Sequence, residues 1–405
     1  MDIVIGGISA WEFHCSPPAA LELALPRALM DSRGIALPSG VGRKNAPPAL
    51  RAVVPELMGR LKGVRLPIHV IVDEKPYGST PLLFPHVRGD SFGPGDLQQV
   101  AEGIMVTSPA RTLLDLARSL TLVGLARLMF EACGIFACGS KTLRIQVACE
   151  ELERRGVISP DMRRSIFAFR DEAGRPIDFA QPHGGQPPWE PCYDKNGARS
   201  DLWKRPPLLS IDDLAAYART CEASQGAARF RRAAKLVIPG SASPEESLFA
   251  IMVSMTRKLG GEGMPRPMLN RRIRLADDAA RALGQPCCVG DATWRLPGRR
   301  EMSPLCVEVA GQAFHEQGDP SERRGHRRHG DDARANALRA SGIEVITVTH
   351  AQMADPAQWD MAVSLIADAL DIGRPDLTPA FLRQRSRLRR ELFGDVTSAR
   401  QAVGK

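Results

Sequence analysis

The sequence contains no apolar run of the roughly 20 residues that a membrane-spanning helix needs. Its start, MDIVIGGISAWEFH, lacks a basic stretch followed by an apolar one, so no secretory signal is expected there. A cytoplasmic protein with no membrane role is the resulting expectation. Nine cysteines are scattered along the chain and none falls in a Cys-x-x-Cys pair. The spacings that build structural zinc sites are therefore missing, and reduced thiols are expected. Neither a Gly-rich phosphate loop nor a nucleophile elbow is present, which leaves a small-molecule enzyme in the N-terminal half without a motif. There is no internal repeat. Few aromatics interleave with the arginines, so a single-strand stacking platform is not indicated.

What is present is an ordinary globular composition carrying clustered positive charge. The 405 residues are 43% apolar and 25% charged, with a formal net charge of +8. That length allows two domains with sizeable cores. The charge gathers in two places. Residues 321–341 (SERRGHRRHGDDARANALRAS) hold six arginines, and residues 383–390 (RQRSRLRR) hold five more. Clustering of this kind favours polyanionic partners more than the net charge alone would.

Local patterning divides the chain into four stretches. Residues 1–174 read as a mostly helical region with a few strands. Its strands are LPIHVIVD, TPLLFPHV and GIMVTS, and a short helical piece is clearest from Pro18 to Met30. Ser108 and Pro109 mark the start of a helix near 108–120 that buries Leu113, Leu116, Ala117 and Leu120. Further helices are expected at KTLRIQVACEELERRG and SPDMRRSIFAFRDEAG. Residues 175–207, rich in Pro, Gly and polar side chains, read as an exposed loop or linker, and two helices complete the stretch 175–240. Over 241–372 the order is α-β-β-β-α-β-α, and 373–405 form a basic C-terminal helix. The fold class expected is α/β, or α+β taken over the whole chain.

Three carboxylates stand out in the third stretch. Asp291 and Glu308 each sit mid-strand among β-formers, where a charge is costly unless it faces a site. Seventeen residues separate them, enough for adjacent strands. Glu246, in the first turn of the preceding helix, completes a possible Mg²⁺-binding cluster of Asp291, Glu308 and Glu246. It is equally placed to favour the helix N-terminal dipole. His315, just past the strand end, suits a proton donor to a leaving oxygen or a hydrogen-bonded edge residue.

The stretch Ser243–Thr349 resembles the very-short-patch-repair (Vsr) endonuclease-like branch of the PD-(D/E)XK superfamily. The positions that carry the resemblance are Ser243-Pro-Glu-Glu246, GMPRPMLN, Asp291, Glu308-Val309-Ala310, Phe314-His315, Asp331-x-x-Arg334 with Leu338, and GIEVITVT. It implies a restriction-endonuclease-like α-β-β-β-α-β core and metal-dependent phosphodiester hydrolysis on DNA. In it Glu246, Asp291, Glu308 and His315 would be catalytic. Ala310 departs from the pattern, which has an acidic or basic polar group there. Residues two apart on a strand share a face, so the alanine removes a metal ligand or water activator from beside Glu308. Losing such a charge-assisted contact costs roughly 10²–10³ in rate. A non-catalytic DNA-binding or regulatory protein that keeps the fold is the alternative. Upstream, GIMVTSPARTLLDLA resembles the signature of AbiEi-type abortive-infection antitoxins, which would place such a protein in a defence or toxin–antitoxin setting. The amino-terminal winged helix-turn-helix of those antitoxins is not seen.

The basic segments fit both readings. Arg323, Arg324, Arg327 and Arg328 lie in the loop that flanks the active site in the family, and Arg334 follows on the next helix. All five are candidate phosphate contacts. Asp331, Arg334 and Leu338 share one helical face, which equally suits a helix pinned to the sheet by an internal salt bridge. The terminal Arg-rich helix suits DNA contact or a solvated surface docked through Phe381, Leu388 and Leu392.

Overall fold

The computed structural model describes residues 3–16, 68–73, 83–87, 89–101, 103–138, 154, 156, 159, 189–193, 199–221, 224–295, 304–311, 333–373 and 376–394. The chain is mixed α/β and divides into two compact units. One comprises Met1–Arg118, Ala137–Pro191 and Ala216–Phe230; the other comprises Ser119–Phe136, Cys192–Ala215 and Arg231–Lys405.

The first unit is built on a five-stranded sheet. β1 (Ile3–Ile5) lies at its centre, between β2 (Ile68–Val72) and β5 (Ile104–Thr107), with β3 (Leu83–Val87) and β4 (Leu97–Ala101) at the edges. β1 pairs antiparallel with β2 and parallel with β5. Helix α1 (Gly7–His14) follows β1, and α2 (Pro109–Leu116) follows β5. The three strands expected from alternation are present. β1 and β4 were not anticipated: three residues are too few to show a period, and LQQVA is mostly polar. The helical piece Pro18–Met30 lies outside the described residues, as do nearly all of the two helices expected between 141 and 174.

Why α2 begins where it does is clear from its first turn. The Ser108 side chain accepts the Arg111 amide, Pro109 occupies a position that needs no N–H, and Thr107 Oγ1 lies 2.7 Å from Thr112 Oγ1. The helix then buries a charged network. Arg111, 4% exposed, donates from Nη1 to Asp96 and to the Ser91 carbonyl, both at 3.3 Å, and from Nε to Asp115 at 3.1 Å. The Tyr217 hydroxyl donates to the other Asp96 oxygen at 2.7 Å. Across the sheet, His69 Nδ1 and His86 Nε2 are 2.7 Å apart, and burial first and His86 second lower the His69 pKa to about 4.

In the second unit, α3 (Leu122–Cys133) precedes the segment that carries the carboxylates. There the order is α4 (Pro244–Ser254), β6 (Met268–Arg274), α5 (Asp277–Leu283), β7 (Cys287–Thr293), β8 (Leu305–Ala310), a helix over 333–340, β9 (Glu344–Thr349), α6 (His350–Ala354), α7 (Pro356–Ala369) and α8 (Pro379–Phe393). The expected order holds except for two added helices, the five-residue α6 after β9 and, between the first two strands, α5. It is about two turns long, opened by Asp277 and Asp278 and stopped by Gly284 at φ 74°, too brief to show a period. The strand order is β9-β8-β7-β6, with β8–β9 parallel and the other pairs antiparallel. α4 is buried from Glu245 to Val253, and its Phe249 ring meets Trp294 and Trp359 edge to face. Within 175–207, expected as loop, the chain forms strands at Glu190–Tyr193 and Arg199–Lys204; buried Trp189, Leu202 and Trp203 outweigh the turn-like composition around them.

α8 is held by charge as well as by its apolar face. Arg385 Nε lies 2.8 Å from Glu262, and its Nη1 bonds to Asp360. Glu262 also accepts the Trp359 indole N–H at 2.7 Å. Both Arg385 and Glu262 are buried. Replacing Arg385 by Met leaves Glu262 desolvated without its cation, and should cost roughly 3–5 kcal/mol in urea denaturation. Adding Glu262→Gln should recover much of that. A second expectation concerns Asp115. Burial outweighs Arg111 and Arg118 and raises its pKa to about 6. The folded state then holds the Asp115 proton to higher pH than the unfolded chain does. Stability should fall as pH rises from about 4 to about 6, and Asp115→Asn should remove that slope.

A candidate carboxylate site

β-Sheet register aligns the candidate residues. Gly290 pairs with Arg271 and Ala292 with Leu269, so Asp291 falls level with Asn270. On the other side Ala292 pairs with Val307, which puts Glu308 next in line, and Glu308 pairs with Thr347. Asn270, Asp291 and Glu308 thus form a row across three strands. Glu246 reaches the Asn270 end of that row from the first turn of α4.

Each carboxylate has protein partners. Glu246 Oε2 accepts from the Ala242 amide at 2.7 Å and from Asn270 Nδ2 at 2.5 Å, and Oε1 accepts the Ser243 hydroxyl at 2.9 Å. Ser243 in turn accepts the Glu246 amide, so the Ser-x-x-Glu start is a helix cap in which the carboxylate takes part. Burial first, and the Asp291 charge second, push the Glu246 pKa well above the usual carboxylate range. Asp291 Oδ2 accepts the Val309 amide at 2.8 Å. Glu308 accepts the Cys306 thiol at 3.2 Å on Oε1 and forms an ion pair through Oε2 with Arg334. The Cys306 thiol is itself held protonated, by burial and then by Glu308.

These occupancies decide whether a metal ion fits. Mg²⁺ requires near-octahedral oxygen coordination from ligands free to turn towards it. Here both Glu246 oxygens serve the helix start and Asn270, one Glu308 oxygen faces a guanidinium, and one Asp291 oxygen closes the sheet. Among the described residues, no three His, Cys, Asp or Glu side chains gather in an arrangement that could hold a metal ion. Ala310, partly exposed on the Glu308 face, supplies no replacement oxygen. Among the described residues, the arrangement does not fit Mg²⁺.

Of the sequence candidates, Glu246, Asp291, Glu308 and Arg334 come together. His315, Arg323, Arg324, Arg327 and Arg328 lie outside the described residues. Two participants were not named as site residues from the sequence. Asn270 has φ 50°, a left-handed conformation that Asn tolerates better than most residues, and its amide links Glu246 to the Gly240 carbonyl at 2.8 Å. Its signal in the sequence was its place as the last residue of GMPRPMLN. Glu245, next to Glu246 and also buried, lies 3.9 Å from His350 Nδ1, and a Cβ on Gly311 would come within 3.4 Å of its Oε2.

The Arg334–Glu308 pair gives a stability test. Arg334→Ala should cost about 2 kcal/mol, the scale of a charge-assisted hydrogen bond to a mostly buried carboxylate, discounted for the partial exposure of Arg334. In a double-mutant cycle with Glu308→Ala, the two losses should fall well short of adding. Strict additivity in urea denaturation would mean that the pair contributes nothing.

Comparison of the chain with protein-family models, curated proteins and solved structures finds no match.

Proposed function

We propose that this chain is a DNA-binding protein on a nuclease-like scaffold whose carboxylates serve the fold instead of cleavage. One observation carries the reading: Glu308, beside the Ala310 that departs from the nuclease pattern, is neutralised by Arg334 from its own chain. A guanidinium in that position satisfies the strand carboxylate as a divalent cation would, without the Lewis acidity that hydrolysis needs. The Glu246 hydrogen bonds to Ala242, Ser243 and Asn270 support the same view.

The DNA half of the proposal rests on charge. Eleven arginines lie within 321–341 and 383–390, and clustered cations of this kind bind phosphate with little regard to sequence. The resemblance of Ser243–Thr349 to Vsr-like proteins points to the same ligand. The runner-up, a metal-dependent endonuclease, keeps one observation: Glu246, Asp291 and Glu308 converge from three elements.

A gel-retardation and plasmid-cleavage pair separates the two. The protein should retard duplex DNA at low salt, leave supercoiled plasmid intact in Mg²⁺ or Mn²⁺, and bind DNA equally well as Glu308→Ala. Metal-dependent nicking that disappears in Glu308→Ala would restore the endonuclease reading.

A further inference from the structure

The arginines of α8 divide by what they touch. Arg385 and Arg389 turn inward: the first to Glu262 and Asp360, the second to the Met353 carbonyl. Arg383, Arg387 and Arg390 are exposed, and none of them makes an ion pair among the described residues. At 3.6 residues per turn, positions i, i+4 and i+7 fall within a narrow arc, so these three form one stripe. Exposed Leu382 is the only large apolar side chain that interrupts the outward side.

At the start of the stripe the charge continues onto another element. A cavity of about 420 Å³ is lined by Arg257, Lys258, Thr378, Phe381, Arg383 and Gln384, with no carboxylate among its lining residues. Arg257 is preorganised there: its guanidinium lies 4.3 Å from the Phe381 ring centroid and donates to the Asp376 carbonyl. Close backbone packing fixes the turn that carries Arg257 and Lys258 against α8. Gly260, at φ 95°, is so near the Gln384 carbonyl that a Cβ would sit 2.4 Å from it. Two cations on one turn and three on one helix are thus held in a common frame.

We infer that this stripe, with the Arg257–Lys258 cavity at its head, is a contact surface for the phosphate backbone of duplex DNA; the inference rests on the DNA-binding reading above. The stripe from Arg383 to Arg390 spans about 10 Å at 1.5 Å per residue. That matches about three successive phosphates of one strand at 3.4 Å of helix axis each. Buried Arg385 sets the orientation, since pinning it to Glu262 turns its exposed neighbours outward. A backbone surface reads no base, so binding should be independent of sequence.

The test is fluorescence anisotropy of the full chain with a labelled mixed-sequence duplex, over a series of salt concentrations. Two variants of equal charge loss are compared. Arg383→Gln, Arg387→Gln, Arg390→Gln removes the stripe, and Arg219→Gln, Arg232→Gln, Arg274→Gln removes three exposed arginines outside both basic clusters. The stripe variant should flatten the slope of log K against log salt by about 2 to 3 units. Adding Lys258→Gln should take about one more, and the control should keep nearly the wild-type slope. If the wild type binds DNA and both triple variants behave alike, the surface is overturned while the DNA-binding reading stands. If the wild type does not bind the duplex at low salt, both fall.

Discussion

An ionised side chain taken out of water must be given a counter-charge or several hydrogen-bond donors, or else give up its charge, and much of this structure is arranged around that requirement. The first unit meets it with Arg111, which joins Asp96 to Asp115, and with a histidine pair whose buried member stays neutral. The second unit meets it with Arg385 for Glu262 and Arg334 for Glu308. Glu246 has no cation beside it among the described residues. It is held by an amide, a hydroxyl and a carboxamide, which only partly offset the burial and the Asp291 charge that raise its pKa.

The same requirement limits what the carboxylate row can do. A catalytic metal site needs oxygens that are close together yet uncommitted, so that the cation is the best partner they have. Here cheaper internal partners are already in place. Arg334 does the neutralising, the α4 cap takes Glu246, and the Val309 amide takes one Asp291 oxygen. The row links β7, β8, α4 and the helix over 333–340 to one another. On α8, by contrast, Arg383, Arg387 and Arg390 are exposed and make no ion pair among the described residues.

Much of the scaffold was legible because long periodic segments announce themselves. The helix starts at Ser108-Pro109, Ser243-Pro244 and Thr378-Pro379 fall where the capping residues put them. The strands carrying Asp291 and Glu308 read correctly from their β-branched neighbours. α5 and β1 were not legible, because seven and three residues carry no measurable period. The strands at Glu190–Tyr193 and Arg199–Lys204 were hidden by surrounding turn residues. Of the site, the sequence placed three carboxylates in one sheet-and-helix neighbourhood. It could not rank Glu246 as ligand against Glu246 as cap, since both roles need the same residue in the same turn.

What the sequence determined by itself was the set of elements with strong local signals and the presence of charges at unfavourable positions. Capping, alternation and the cost of a mid-strand carboxylate are all effects of near neighbours. What only the tertiary structure decided was which partner each charge takes. Arg334 and Glu308 are 26 residues apart, Arg385 and Glu262 more than a hundred, and Asn270 reaches Glu246 through a left-handed backbone turn. Such pairings depend on strand register and helix docking, which bring distant residues within a few ångströms, and no local pattern encodes that distance.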